Sequence, residues 1–131
     1  MTREEFKDRT KAFALRVIKV VDALPRDSVA KTLGHQLVGS GTSVAANYRA
    51  AVRANSPADF VAKMGIVEEE CDETLFWMEL LIASGRMKPA LLADLMREGG
   101  EILAITVASI KTARRNRASN SAIRIPHSEF E

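Results

Sequence analysis

Apolar residues along this chain recur in steps of three and four, the spacing that keeps them on one face of an α-helix. Over residues 2–24 the positions Phe6, Thr10, Phe13, Val17, Val20 and Leu24 form one such seam, widened by Ala14 and Val21. Lys7, Arg9, Lys11, Arg16 and Lys19 lie largely off it. Pro25 ends the helix, because the residue before a proline avoids the α region, and Asp27 or Ser28 offers the next N-cap. A second seam of Leu33, Leu37, Ser40, Val44, Asn47, Ala51 and Ala54 predicts a helix over residues 28–54. Asn55, Ser56 and Pro57 break it. Ser56 as N-cap, Pro57 at the first helical position and Asp59 in the first turn start a third helix.

That third helix, over residues 57–84, has the seam Phe60, Met64, Val67, Cys71, Thr74, Met78 and Leu81. It also carries a second apolar flank of Ile66, Phe76, Trp77 and Leu80. Two apolar sides are more than a bundle helix of a monomer needs, so Phe76 and Trp77 are expected against a fourth helix or a second subunit. Gly85 suits the stop position after the helix. The fourth helix runs from residue 89 to about 111–115 on Leu92, Leu95, Gly99, Ile102, Thr106 and Ser109, broadened by Leu91, Leu103, Ile105 and Ile110. Its seam turns small and polar at Thr106 and Ser109, and Gly99-Gly100 marks a kink or a close approach. From Ala118 the periodicity fades and the remainder reads as extended or disordered. Four helices, short connections and no strand alternation predict an all-α, antiparallel up-down four-helix bundle. The bundle domain is expected over residues 1–112 and a basic, flexible tail over residues 113–131.

Residues 36–53 are the densest in small side chains: Gly39, Ser40, Gly41, Ser43, Ala45, Ala46, Ala50 and Ala51. Two mid-helix glycines cost roughly 1 kcal/mol each relative to alanine, which implies that another backbone comes close. Gln36, Ser40, Ser43 and Asn47 fall on one face. A solvated polar face and a hydrogen-bonded helix contact both fit that stripe. The contact is the better reading because Leu33, Leu37 and Val44 share the face.

With 131 residues the chain is one domain in size and buries roughly two-thirds of its unfolded surface. A composition of 47% hydrophobic and 27% charged residues is globular, and its Ala, Leu and Val content leans toward helix. A single cysteine, Cys71, excludes an intrachain disulfide framework and a multi-cysteine zinc site. No apolar run approaches the roughly 20 residues that span a bilayer, and the charged start lacks the apolar core of a signal peptide. A soluble cytoplasmic protein without membrane contact is expected. The net charge of +2 is unevenly spread. Residues 1–110 hold 14 Lys and Arg against 15 Asp and Glu, a net of −1, and residues 111–131 hold five against two, a net of +3.

The acidic run Glu68, Glu69, Glu70, Asp72, Glu73 and Glu79 is the first place to look for chemistry. Bundle di-metal sites need Glu-x-x-His on two helices. His35 and His127 are the only histidines and neither follows a Glu by three. A solvated helix face, with one or two carboxylates paired to a neighbour's cation, is the better reading. Cys71 lies on an apolar seam with no histidine placed to activate it, and Ser40 and Ser43 lack a base as well. No phosphate-cradling glycine loop or zinc motif is present. No catalytic residue, metal or cofactor is therefore expected. Lys111, Arg114, Arg115 and Arg117 cluster at the end of the last helix, with Arg124 beyond, and Arg49 and Arg53 make an i, i+4 pair on the second. Such cations neutralise phosphates, and they also cap helix dipoles. A cyclic oligomer would repeat them as a ring of positive charge.

Four pieces of sequence then combine. They are Leu24-Pro25, Q-L-x-x-S-x-T-S-V-A-A-N-Y at residues 36–48, S-x-x-D-F-x-x-K at residues 56–63, and E-x-x-E-T-x-x-W at residues 70–77. Together they resemble the small four helix bundle protein family, also called rRNA intervening-sequence proteins, over residues 6–111. The resemblance implies an antiparallel bundle assembled as a ring-like homopentamer. A related branch, the accessory variability determinants of diversity-generating retroelements, implies binding to nucleic acid and to a reverse transcriptase. By this resemblance Ser40, Ser43, Asn47, Glu70, Glu73 and Trp77, with Gln36 beside them, serve packing and assembly. Family sequences usually carry Glu three residues after the Asn, where this chain has Ala50.

The expectation is a non-enzymatic homo-oligomer that adapts nucleic acid, RNA or DNA, through Arg49, Arg53, Lys111, Arg114, Arg115 and Arg117. The rivals are a protein–protein scaffold that binds no polyanion and a carboxylate-rich metalloenzyme.

Overall fold

The computed structural model describes the backbone of residues 1–128 and the side-chain surroundings of residues 1–119. It contains four helices, α1 (Arg3–Asp22), α2 (Ser28–Ala51), α3 (Pro57–Ala83) and α4 (Pro89–Ser128). The first three starts are set by caps that the sequence offers. Thr2 closes a capping box with Glu5, whose backbone N–H donates to Thr2 Oγ1 at 3.0 Å while Thr2 N–H donates to Glu5 Oε1 at 3.2 Å. Asp27, not Ser28, caps α2 by accepting from Val29 and Ala30 N–H. Ser56 caps α3 with Pro57 directly behind it. Gly85, at φ +78°, ends α3 in the left-handed region, where only glycine is unstrained. Arg86 N–H then reaches back to Leu81 C=O at 2.9 Å and Gly85 N–H to Ile82 C=O at 3.0 Å, closing the terminal carbonyls.

The helices pack in chain order around a square, with the α2–α3 contact the most extensive and α1–α4 the slightest, and the backbones of the diagonal pairs stay apart. The seams become the core. Phe6, Phe13, Val17, Leu37, Val44, Met64, Val67, Cys71, Met78, Leu81, Leu92, Leu95 and Ile102 are all buried. Four polar seam positions, Thr10, Ser40, Thr74 and Thr106, are buried too, each with its hydroxyl satisfied locally. Thr106 donates to Ile102 C=O at 2.8 Å and Thr10 to Lys7 C=O at 3.0 Å. A threonine at a seam position therefore did not mark the end of burial, which continues to Ile110.

Two glycines on α2 set its distance from α1. A Cβ on Gly41 would lie 2.8 Å from Val17 Cγ1, and one on Gly34 would lie 2.9 Å from Leu24 Cδ1. Gly99 plays the same part on α4, between Leu75 and the Phe13 ring. The expectation for Gly39 is corrected, since nothing approaches its Cβ position within the protomer. On the α3 side of α2, Thr74 Oγ1 donates to Ser40 Oγ at 2.9 Å, and Ser40 donates to Leu37 C=O. Between α1 and α4, Arg9 donates twice to Glu98, at 2.7 and 2.6 Å, and once to Glu101 at 3.2 Å. This bidentate pair ties the slightest of the four contacts.

Helix α4 corrects the expected ends. The pattern stops it at about residues 111–115 and reads the remainder from Ala118 as extended or disordered, whereas the backbone is helical to Ser128. No glycine or proline falls between Gly100 and Pro126, and Ala113, Arg114, Arg115, Arg117 and Ala118 are strong helix formers. The seam ended where burial ended, and propensity carried the helix on. At about 1.5 Å per residue its 40 residues run roughly 60 Å, well beyond its partners.

Gly41→Ala should lower stability by about 1–2 kcal/mol, because overpacking against Val17 outweighs the gain in helix propensity. Gly100→Ala, which meets nothing, should raise it by about 0.5–1 kcal/mol. Urea denaturation of both variants checks the two signs. A second test uses pH. The hydrogen bonds from Arg9 hold the Glu98 carboxyl below its ordinary value of 4.5, so this pairing contributes fully above that pH and is lost as pH falls through the lowered value. The stability gap between the parent protein and Glu98→Gln should thus be widest at pH 7 and close towards pH 3. A gap that stays constant would contradict it.

Candidate nucleic-acid interface and assembly face

The cations expected to meet phosphate are all exposed, but they do not form one patch. Lys111, Arg114 and Arg115 occupy faces of α4 turned away from its apolar seam, and Arg49 and Arg53 lie on the outer side and end of α2. Only Arg117 of the set lines the cleft that opens at this end of the bundle. The cleft, of about 630 Å3, is walled by the start of α1, the end of α2, the start of α3 and the segment of α4 from Ile105 to Arg117. It also holds Arg3, whose guanidinium sits 4.9 Å from the centre of the Phe60 ring. Its floor includes Phe6 and Tyr48, packed edge to face at 4.7 Å. Arg124 lies beyond the described side chains.

The motif residues expected to assemble the protein divide between two roles. Ser40 alone of the polar stripe bonds to a neighbouring helix. Asn47 Nδ2 donates to Ser43 C=O on its own helix at 2.9 Å, both residues are half-buried, and Gln36 is exposed. Across from them, α3 presents an outward face of Ile66, Glu69, Glu73, Phe76 and Leu80 at steps of three and four. Phe76 is 48% exposed and Ile66 42% exposed. Trp77 packs its ring against Phe76 at 5.1 Å and encloses its Nε1–H, which has no hydrogen-bond partner among the described residues. A buried donor left unpaired costs about 1–3 kcal/mol.

The carboxylates of this face are equally unmatched. None of Glu68, Glu69, Glu70, Asp72, Glu73 or Glu79 makes an ion pair among the described residues, so the expected pairing within the protomer is absent. Burial, and then repulsion from Glu73 and Glu69, push the Glu70 carboxyl up. Among the described residues no three His, Cys, Asp or Glu side chains converge on a point where a metal ion could sit. Cys71 is fully buried and 3.3 Å from Gly99 C=O, and burial with the nearby Asp72 pushes its thiol up to about 12. That leaves it a small hydrophobe rather than a nucleophile. No helix of the described residues is long and apolar enough to cross a membrane.

Sequence reasoning missed Arg3, Tyr48 in its cleft role, and Phe60. Phe60 enters the sequence reading only as a seam position and Tyr48 only as a motif residue, and nothing in the spacing singles out Arg3. Their meeting depends on three helix ends that no spacing connects.

Comparison with known proteins gives a coherent result. The model of a family described as 23S rRNA-intervening sequence protein matches residues 4–108. A solved structure of a protein with unknown function from the S23 ribosomal protein family of Bacteroides thetaiotaomicron superposes with a TM-score of 0.79 at 32% identity. The match covers 85% of this chain and 99% of that one. No curated protein matches the sequence.

Proposed function

We propose, since the chain belongs to the 23S rRNA-intervening sequence protein family, that it is a non-enzymatic homo-oligomeric adaptor for structured RNA or ribonucleoprotein. The observation that carries the reading is the division of charge on one small bundle. Its α4 end is cationic, and the α3 face is acidic, apolar and unpaired. The cations serve phosphate. The α3 face serves a second copy, which would cover Ile66 and Phe76, give Trp77 Nε1–H an acceptor and bring cations to Glu70 and Glu73. Exposed apolar side chains beside lysines on α1, Leu15 and Ile18 with Lys7 and Lys11, form a surface of complementary sign on the same protomer. Two different surfaces that fit each other build a closed ring when the rotation closes. A pentamer is the ring that the family resemblance implies. Assembly then gathers several copies of Lys111, Arg114, Arg115 and Arg117, and multivalency raises avidity beyond what one protomer offers.

Two experiments test this. In sedimentation velocity the parent protein should run as an oligomer, and Phe76→Asp or Glu73→Lys should shift it towards the monomer while far-ultraviolet circular dichroism stays helical. A parent protein that is monomeric at tens of micromolar would contradict the assembly. In fluorescence anisotropy the protein should bind labelled structured RNA with an affinity that falls steeply with salt. Replacing Arg114, Arg115 and Arg117 with Ala should weaken it by about 10–100-fold and flatten the salt slope. Unchanged binding would remove these residues from the account. An absence of binding at low salt would favour a protein–protein scaffold.

A further inference from the structure

We infer that the cleft at the α4 end binds a nucleobase carrying a phosphate monoester, either as a free mononucleotide or as the phosphorylated end of an RNA strand. The inference rests on the RNA-binding reading for the second of these sources. Its ground is the lining of the cleft, which separates into three chemistries.

The first is charge. Arg3 and Arg117 line the cleft together with Met1, and no carboxylate does. In a chain with nearly balanced charge, a cavity of this size without an acidic side chain favours an anion. The second is an aromatic lining in which Phe60, half-buried beside the Arg3 guanidinium, borders the cleft together with nearly buried Phe6 and Tyr48 and with Ile105 on the α4 side. Planar bases pack on such surfaces. The third is a polar margin of Ser109, Thr112 and Asn116, one helical turn or less apart on α4, which can bond to the edge of a base or to a sugar.

Tyr48 joins the three. The residue is only 4% exposed, and its hydroxyl makes no hydrogen bond to protein among the described residues and is not among the enclosed unpaired atoms, so it opens to the cleft. Burial raises its pKa, and the positive charge of Arg3, which lines the same cleft, works against that rise. A tyrosine buried to this extent usually finds a partner for its O–H. Here the cleft is where a partner would come from. A purely aliphatic ligand would leave Tyr48, Ser109 and Asn116 unpaired, which selects against lipid-like occupants. The volume of about 630 Å3 lies within the range of ordinary ligand sites.

The test is calorimetric titration of the full chain with AMP, GMP, CMP and UMP, and with one short single-stranded RNA bearing either a 5′-phosphate or a 5′-hydroxyl. Binding of free nucleotides, or at least tenfold tighter binding of the phosphorylated strand, supports the inference and identifies the source. Arg3→Gln should weaken that binding more than tenfold. Tyr48→Phe keeps the ring and so the packing against Phe6, and should weaken it about three- to tenfold, with the urea midpoint unchanged as a control on folding. The inference is overturned if no nucleotide binds and the two strands bind equally, a result that leaves the RNA-binding reading standing. It is also overturned if Tyr48→Phe and Arg3→Gln bind like the parent protein. Nucleotide binding without any RNA binding would sustain the cleft and overturn the adaptor reading instead.

Discussion

The bundle depends on the closeness of α2 to its neighbours. Gly34 and Gly41 leave no room for a Cβ against Leu24 and Val17, and Ser40 meets Thr74 through their hydroxyls on the other side. Dispersion at this contact rests on the interlocking of small and branched side chains, so a few tenths of an ångström matter.

At the opposite extreme is the α1–α4 contact, the slightest of the four, which Arg9 bridges to Glu98 and Glu101. The cleft opens at the end of the bundle where α1 begins and α4 runs on past its partners.

Much of this was legible in the sequence. Four seams at steps of three and four named the core nearly residue by residue, and Asp27, Ser56 and Gly85 supplied boundaries. What failed has physical reasons. Helix α4 outlasted its seam because burial and helix propensity are separate causes, and only the first leaves a periodic trace. Gly39 and Gly41 look alike in sequence, and only their rotation about the axis tells which one meets Val17. The cleft could not be foreseen, since Arg3, Tyr48 and Arg117 belong to three helices and touch no common motif. The acidic run reads in sequence as a solvated face with one or two paired carboxylates, and its lack of cationic partners among the described residues became visible only with the fold.

The most direct measurement is ultraviolet cross-linking of structured RNA to the intact protein, followed by mass spectrometric mapping of the modified peptides. If the α4 end is the nucleic-acid interface, adducts should fall on the peptides around Lys111 to Arg117 and on those holding Arg3 or Tyr48, with none on the α3 peptide from Glu68 to Glu79. Adducts on that acidic α3 segment, or no adducts under conditions where the RNA remains intact, would contradict the account.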